Sequence, residues 1–463
     1  MSLRFARYPP PISISGPATL RTLCSQYLLM PKSLSRTIDI RAGRATMPRQ
    51  RHTFTTIHVW DEVCRAFPEC QPLLELARVV RQGSPPLYNR SMSELGFLVQ
   101  GGLYEWGDVP SVEMKIFLYA LEVATKYGCP LPNDLAASHL SLHHHDVLEL
   151  ASTYMPWAIP TADEVKYALR KYHKFHETCY TTRIGRISCF SAAAVAIKFL
   201  HDTPIPTRKY IRKIVIHEDR TSVASPEFHA KGLIPFCVEN ASLRIERRLD
   251  MWRTCFLDYG AVRNTVDAQY VPAPSIPCWW ARETARWLVE AGELIRAGMP
   301  ERSFSLIIDG GPAPEKASYI FGRIQRDAAW QEAFEEACAR NSVPRPKLYE
   351  WRRSDVHILE QFPSIVRSMT NDKSFIVQCN FDIGAPWDIE GIIEQNQNCP
   401  LSKWEEKWWQ EDETYSGVEP FPLFKSWRDF YVAEYIYPAE QWRYADEETS
   451  FQLSVDDVGY PED

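Results

Sequence analysis

The sequence predicts a mixed helix-and-strand protein, α/β or α+β, with a layer of small helices ahead of a domain in which helices and strands alternate. Three observations carry this. Over residues 191–217 a helical apolar period gives way, across Pro204 and Pro206, to a β-branched run. The helix-then-strand order recurs at 279–309 and again at 315–381. Apolar residues make up 45% of the chain, with 15 Trp, 21 Tyr and 21 Phe, enough to fill real cores. At 463 residues the chain exceeds what one core usually organises, so two or three folding units are expected.

Residues 1–53 differ from the rest. They hold nine Lys or Arg against the single acid Asp39, among many Ser, Thr and Pro. Such a bias reads as a disordered basic extension, as a mitochondrial presequence, or as a stretch ahead of a working start at Met47. The early arginines are not followed by the apolar run of a secretory signal.

Residues 54–185 read as a helical region. Over 60–80, Val63, Phe67, Leu73, Leu74 and Leu76, interrupted by Pro68 and Pro72, predict two short helices. Ile116, Phe117, Tyr119, Ala120, Val123 and Ala124 line one face of the clearest helix, 114–127, with Gly128 placed to cap it. Further short helices are expected at 146–155 and at 165–172, the latter after a capping-box pattern at Thr161.

Residues 186–383 read as the α/β domain. Ala192, Val195, Ala196, Phe199 and Leu200 form an apolar stripe, and the two prolines end that helix. A strand follows over 210–217. Pro226 is placed to open a short helical turn with Phe228 inside, which Gly232 and Pro235 should end. Residues 242–249 alternate like an edge strand, while Leu249, Trp252 and Phe256 suggest a helix after it. Trp280, Trp287, Leu288, Ala291, Leu294 and Ile295 predict an amphipathic helix, with Thr284 its one polar member and Gly298 and Pro300 its stop. A strand at 304–309, a glycine turn, a long helix over 315–340 and a strand at 373–381 complete the alternation.

Part of this block resembles a group of uncharacterised fungal proteins, some of which carry an F-box. The resemblance rests on Phe199 and Leu200, Arg208, the run 211–216, His229, the run 232–237, the run 244–248, and later the stretches 309–316 and 325–330. It covers about residues 155–340 and its motifs are structural, so it implies an intracellular interaction role and no reaction. An F-box itself, with its Leu-Pro-x-Glu start, is not evident upstream.

Residues 384–463 form an acidic, aromatic C-terminal segment. Nineteen Asp or Glu stand against five Lys or Arg, interleaved with Trp404, Trp408, Trp409, Trp427 and Trp442. Charge of this kind suits an interaction tail, whereas the aromatics favour a segment that packs back on the body.

Function is less legible than fold. The formal charge of −7 gives no overall attraction for nucleic acid or an anionic membrane, and the basic stretches 207–213 and 243–248 are matched by nearby acids. No apolar run reaches the length of about 20 residues that a membrane span needs. Twelve cysteines without a CxxC pair point to reduced thiols in the cytoplasm or nucleus, or in mitochondria if residues 1–46 act as a presequence. His173, His176 and Cys179 stand at i, i+3 and i+6, and nearby His143, His144 and His145 add donors that zinc would take, but that helical spacing covers too wide an arc for three ligands to converge. Phosphate-loop, nucleophile-elbow and metalloprotease motifs are missing. No catalytic, cofactor-binding or metal-binding residues are therefore assigned. A surface site is expected at the strand ends, from Glu218, Asp219 and Asp309, where α/β proteins place binding residues. Polar side chains are expected to stay on the outside. The reading that follows is a non-enzymatic scaffold or adaptor for an unknown protein partner, the alternative being an enzyme that uses those strand-end carboxylates.

Overall fold

Helices pack on a four-stranded sheet whose strands are all parallel and lie side by side in chain order: β1 (Lys213–Glu218), β2 (Arg244–Asp250), β3 (Phe304–Asp309) and β4 (Val377–Cys379). The fold is therefore α/β. The structure, a computed structural model, describes residues 57–68, 109–127, 155–159, 190–219, 222, 225–255, 277–345, 361–371 and 376–410.

The strand order has a topological consequence. Right-handed crossovers between successive neighbours all pass over the same face of a sheet. One face should then carry the helices and the core. The main hydrophobic cluster draws its fully buried strand residues, Ile214, Ile216, Ile245, Leu249, Phe304, Leu306, Ile308 and Val377, from a single face. Val215 and Ile307, on the opposite face, are only half-buried and lie outside that cluster.

The helices follow local signals closely. They are α1 (Ile57–Ala66), α2 (Pro110–Lys126), α3 (Ala192–Asp202), the short α4 (Ile205–Arg208), α5 (Ile234–Glu239), α6 (Pro277–Arg296), α7 (Pro314–Ala339), α8 (Phe362–Thr370), α9 (Ile389–Asn396) and α10 (Leu401–Gln410). Ser191 caps α3, its Oγ accepting the Ala194 N–H at 3.0 Å. In α6, Trp280, Trp287, Leu288, Ala291 and Leu294 are buried as predicted, and Thr284 with them, but Ile295 is 38% exposed at the helix end. Between α1 and α2, the Phe67 and Tyr119 rings meet edge to face at 5.6 Å. Val109, just ahead of α2, belongs to the main core.

Two expectations are overturned by tertiary contacts. A 3-10 helix (Pro226–Leu233) does not end at Gly232 and Pro235 but runs on into α5. Pro235 sits in the first turn of α5, where its missing N–H costs nothing. Gly232 is needed for close approach: a Cβ there would lie 2.6 Å from the Trp157 ring and 2.7 Å from Ile197. The second case is β2, which is an interior strand, paired with β1 on one side and β3 on the other. Its charged alternation looks like an edge because one of its faces lies outside the core.

Past the sheet, α7 changes partners. Its first half packs Ala317, Ile320, Phe321 and Ile324 into the main core. Its second half packs Trp330, Ala333, Phe334 and Ala337 against Trp404 and Trp408 of α10 and Ile392 and Ile393 of α9. Arg326, fully buried, donates to the Trp408 carbonyl at 3.1 Å and so caps the carboxyl end of α10. The Trp408 indole N–H donates to Asp327 at 3.1 Å. The acidic aromatic segment thus begins as packed structure. The second helix expected over 60–80, the helices at 146–155 and 165–172, the histidines at 143–145 and the His173, His176, Cys179 trio lie outside the described residues.

Candidate functional site

The carboxyl ends of parallel strands are the usual place for a binding site, and three residues were expected there. The structure does not bring them together. In β1, alternation puts Ile214, Ile216 and Glu218 on the inner face, and Glu218 is 2% exposed. The expectation that it is a surface residue is wrong, and the reason is local. Its carboxylate takes the N–H groups of Ala192 and Ala193 at the start of α3, at 2.9 and 3.1 Å, and the Arg247 guanidinium at 2.5 and 3.0 Å. A helix N-terminus and a cation thus replace water around it. Arg247, also inward, further donates to the Pro226 and Glu227 carbonyls and lies 4.6 Å from the Trp287 ring centroid.

More charge lies beneath the sheet, against the expectation that polar groups stay outside. Glu227 pairs with Arg286, which also reaches Glu283 at 3.2 Å. Glu290 accepts the Ser111 N–H at 2.7 Å and stands 3.8 Å from Lys231, whose ammonium donates to the Ser111 hydroxyl. Burial pushes the Glu227 carboxyl up to about 8, against the pull of Arg247, and pushes Glu290 up as well. It lowers Lys231, and brings Arg286 down to about 10. Ser191 Oγ and His229 Nδ1 share a hydrogen bond at 2.6 Å, and the same oxygen accepts the Ala194 N–H. That geometry resembles a nucleophile and base, but both residues are sealed, at 0% and 1% exposure, and their contact ties α3 to the 3-10 helix.

The opposite, outer face is the accessible one. Its rows follow the register: Lys213 beside Arg244; Val215, Glu246 and Ser305; His217, Arg248, Ile307 and Gln378; then Asp250 beside Asp309. Glu246 pairs with Lys213 at 2.7 Å and with Arg248 at 2.6 Å. Cations therefore mark the amino end of this face and carboxylates its carboxyl end. Asp250 accepts the Trp252 and Arg253 N–H groups at 3.0 Å, and burial, with the charge of Asp309 added, pushes its carboxyl up to about 6. Asp309 accepts from the Gly311 N–H at 2.9 Å and from Asn380 at 2.7 Å, while Asn380 accepts the Gly310 N–H at 2.9 Å. Of the expected trio, Asp309 belongs to this face, Asp219 is half-buried just past β1, and Glu218 lies on the other side of the sheet.

The chain matches no family model, no curated protein and no solved structure.

Sequence reasoning missed Asp250 and Asn380. Each directly follows or closes a strand run, as Asp309 does, and that shared position was the available signal. Among the described residues no group of three His, Cys, Asp or Glu is disposed to hold a metal ion, and no helix is long and apolar enough to cross a membrane. Burial pushes the thiols of Cys237, Cys255 and Cys379 up to about 12, so none of them is a ready nucleophile at neutral pH.

Proposed function

We propose that the chain is a non-enzymatic interaction scaffold that holds a protein partner against the outer face of its sheet. The observation that carries this reading is the composition of that face: rows of charged and polar side chains of both signs, partly exposed, from 15% at Glu246 to 55% at Lys213, on a backbone fixed by parallel pairing. Parallel strands in chain order with helices on one side offer their other side for binding, as in solenoid proteins. The strand-end carboxylates first suspected of chemistry are divided between two faces, and Glu218 is spent on a buried ion pair. The resemblance to F-box-related fungal proteins supports an adaptor role by analogy.

The test is quantitative affinity capture of the full-length chain from its native host. Partners that bind the outer face should be lost from an Arg248→Glu/Ile307→Asp variant and kept by Lys198→Glu, a substitution at an exposed helix position. Identical partner sets for all three proteins would sink the reading.

A second reading has one observation in its favour. Asp250 and Asp309 are adjacent carboxylates at strand carboxyl ends, and Asp250 keeps a proton to about pH 6, as a general acid must. An activity abolished in both Asp250→Asn and Asp309→Asn with binding intact would favour it.

A further inference from the structure

A different surface carries a separate inference. Residues 205–213 and α5 form one corner at the amino end of β1. Asn240 at the end of α5 donates to the carbonyls of Arg208, Lys209 and Ile211, at 2.9 to 3.3 Å, and Arg208 pairs with Glu239 while lying 5.3 Å from the Phe236 ring centroid. The corner is therefore held by its own bonds. It nevertheless exposes three large apolar side chains, Tyr210 at 79%, Val238 at 62% and Ile205 at 52%. These are the three most exposed large hydrophobic residues among those described. Exposed apolar groups on a bonded corner mark a contact surface.

The charge around them is mostly positive. Arg208, Lys209, Arg212, Lys213 and Arg244 stand against Glu239 and Glu246, on a chain whose formal charge is −7. Glu239 and Glu246 are taken by Arg208 and by Lys213 with Arg248. Lys209, Arg212 and Arg244 make no ion pair among the described residues, although Lys209 lies near enough to Glu239 to help hold its carboxyl below the usual range; Arg212 and Arg244 donate to the carbonyls of Lys209 and Ala241, at 2.7 and 2.8 Å. A ligand for this corner should bring carboxylates and aromatic or aliphatic side chains together.

Residues 411–463 have that chemistry. They hold fourteen Asp or Glu against three Lys or Arg, with Phe421, Phe424, Trp427, Phe430 and Tyr431 clustered in one stretch. Reach is no obstacle: extended chain spans about 3.3 Å per residue, so this segment can extend well over 100 Å from Gln410, past the roughly 50 Å breadth of a domain this size. Being tethered, it is present at an effective concentration on the order of millimolar, which an untethered acidic peptide would rarely match. We propose that the acidic, aromatic segment 411–463 docks in cis on the corner formed by Ile205, Tyr210 and Val238, its carboxylates meeting Lys209, Arg212 and Arg244.

Zero-length carbodiimide crosslinking of the full-length chain tests this, because it joins only amines and carboxylates in direct contact. The chain is prepared as an equal mixture of nitrogen-14 and nitrogen-15 protein. Links from Lys209 or Lys213 to carboxylates within 411–463, each confined to one isotopic form, are expected. They should fall about five-fold or more in a Tyr210→Ser/Arg212→Glu variant, whose substitutions are fully on the surface, and fall similarly in about 0.5 M salt. Mixed-isotope links would assign the corner to a second copy and overturn docking in cis. So would the absence of these links, or a yield unchanged in the double variant.

Discussion

The inner and outer faces of the sheet are cut from the same strands, one residue apart, yet charge is treated in opposite ways on the two. Arg247 and Arg248 are neighbours in β2. Arg247 points inward, 1% exposed, and is held by Glu218, two carbonyls and the Trp287 ring. Arg248 points outward and shares Glu246 with Lys213 at a half-exposed surface. The contrast shows that a period of two decides which environment a residue meets, and the environment then decides what its charge is for. Inside, an ion pair must be complete, because desolvation of a lone charge is costly. Outside, water tolerates incomplete pairing and leaves charge available for a partner.

Substitutions on the two faces should therefore differ in size, and the largest gap lies at the two arginines. Arg247→Ala leaves Glu218 buried beside α3 without its cation and should cost about 3–5 kcal/mol in denaturant unfolding. A Glu218→Gln/Arg247→Met variant should recover most of that loss, since removing both charges removes the desolvation cost while Gln keeps an acceptor for the Ala192 and Ala193 amides. If the double variant is as unstable as the single one, the inner pair is more than a satisfied charge. Next, Ile308→Ala opens a cavity in the main core and should cost about 2–5 kcal/mol, against under about 1 kcal/mol for the half-buried Ile307. Equal losses would mean that the outer face is as packed as the inner one.

Acidity sharpens the comparison at the carboxyl end. The Asp250 carboxyl is raised from 3.8 to about 6 in the fold, so the native state holds its proton where the unfolded chain has released it. Its contribution to stability is complete below about pH 4 and lost as pH rises through 6. Asp250→Asn keeps the acceptor for the Trp252 and Arg253 amides, flattens that part of the profile, and should gain on the order of 1–2 kcal/mol at pH 7. Urea unfolding at pH 4, 5, 6 and 7 checks this, and parallel profiles for the two proteins would refute it. The smallest effect is expected at Arg248→Ala, within about 0.5 kcal/mol by the same measurement. A loss comparable to that of Arg247→Ala would erase the distinction between the faces.

Much of the architecture was legible in particular residues. The apolar stripe of α6, the β-branched run of β3 and the stop signals at Pro204 and Gly298 all act locally, and the observed elements follow them closely. β3 occupies residues 304–309 as expected. β4, by contrast, is the three residues Val377–Cys379 where the apolar run spans 373–381, because pairing with β3, and not composition, sets its length. β2 reads like an edge because five of its seven residues are charged, yet hydrogen bonds on both sides make it interior.

The candidate site was harder to read. Asp309 is visible as a strand-ending carboxylate, whereas Asp250 is hidden in a stretch that reads as a strand-to-helix transition, and its partner across the register lies 59 residues away in the chain. The period of each segment, the prolines that separate segments and the sign of charge along them were set by the amino-acid order alone, since those properties act over a few residues. Which way Glu218 faces, and whether its charge is tolerated there, was decided only when β2 brought Arg247 beside it and α3 offered two amides, because the free energy of a buried charge depends on what surrounds it and not on its neighbours in sequence.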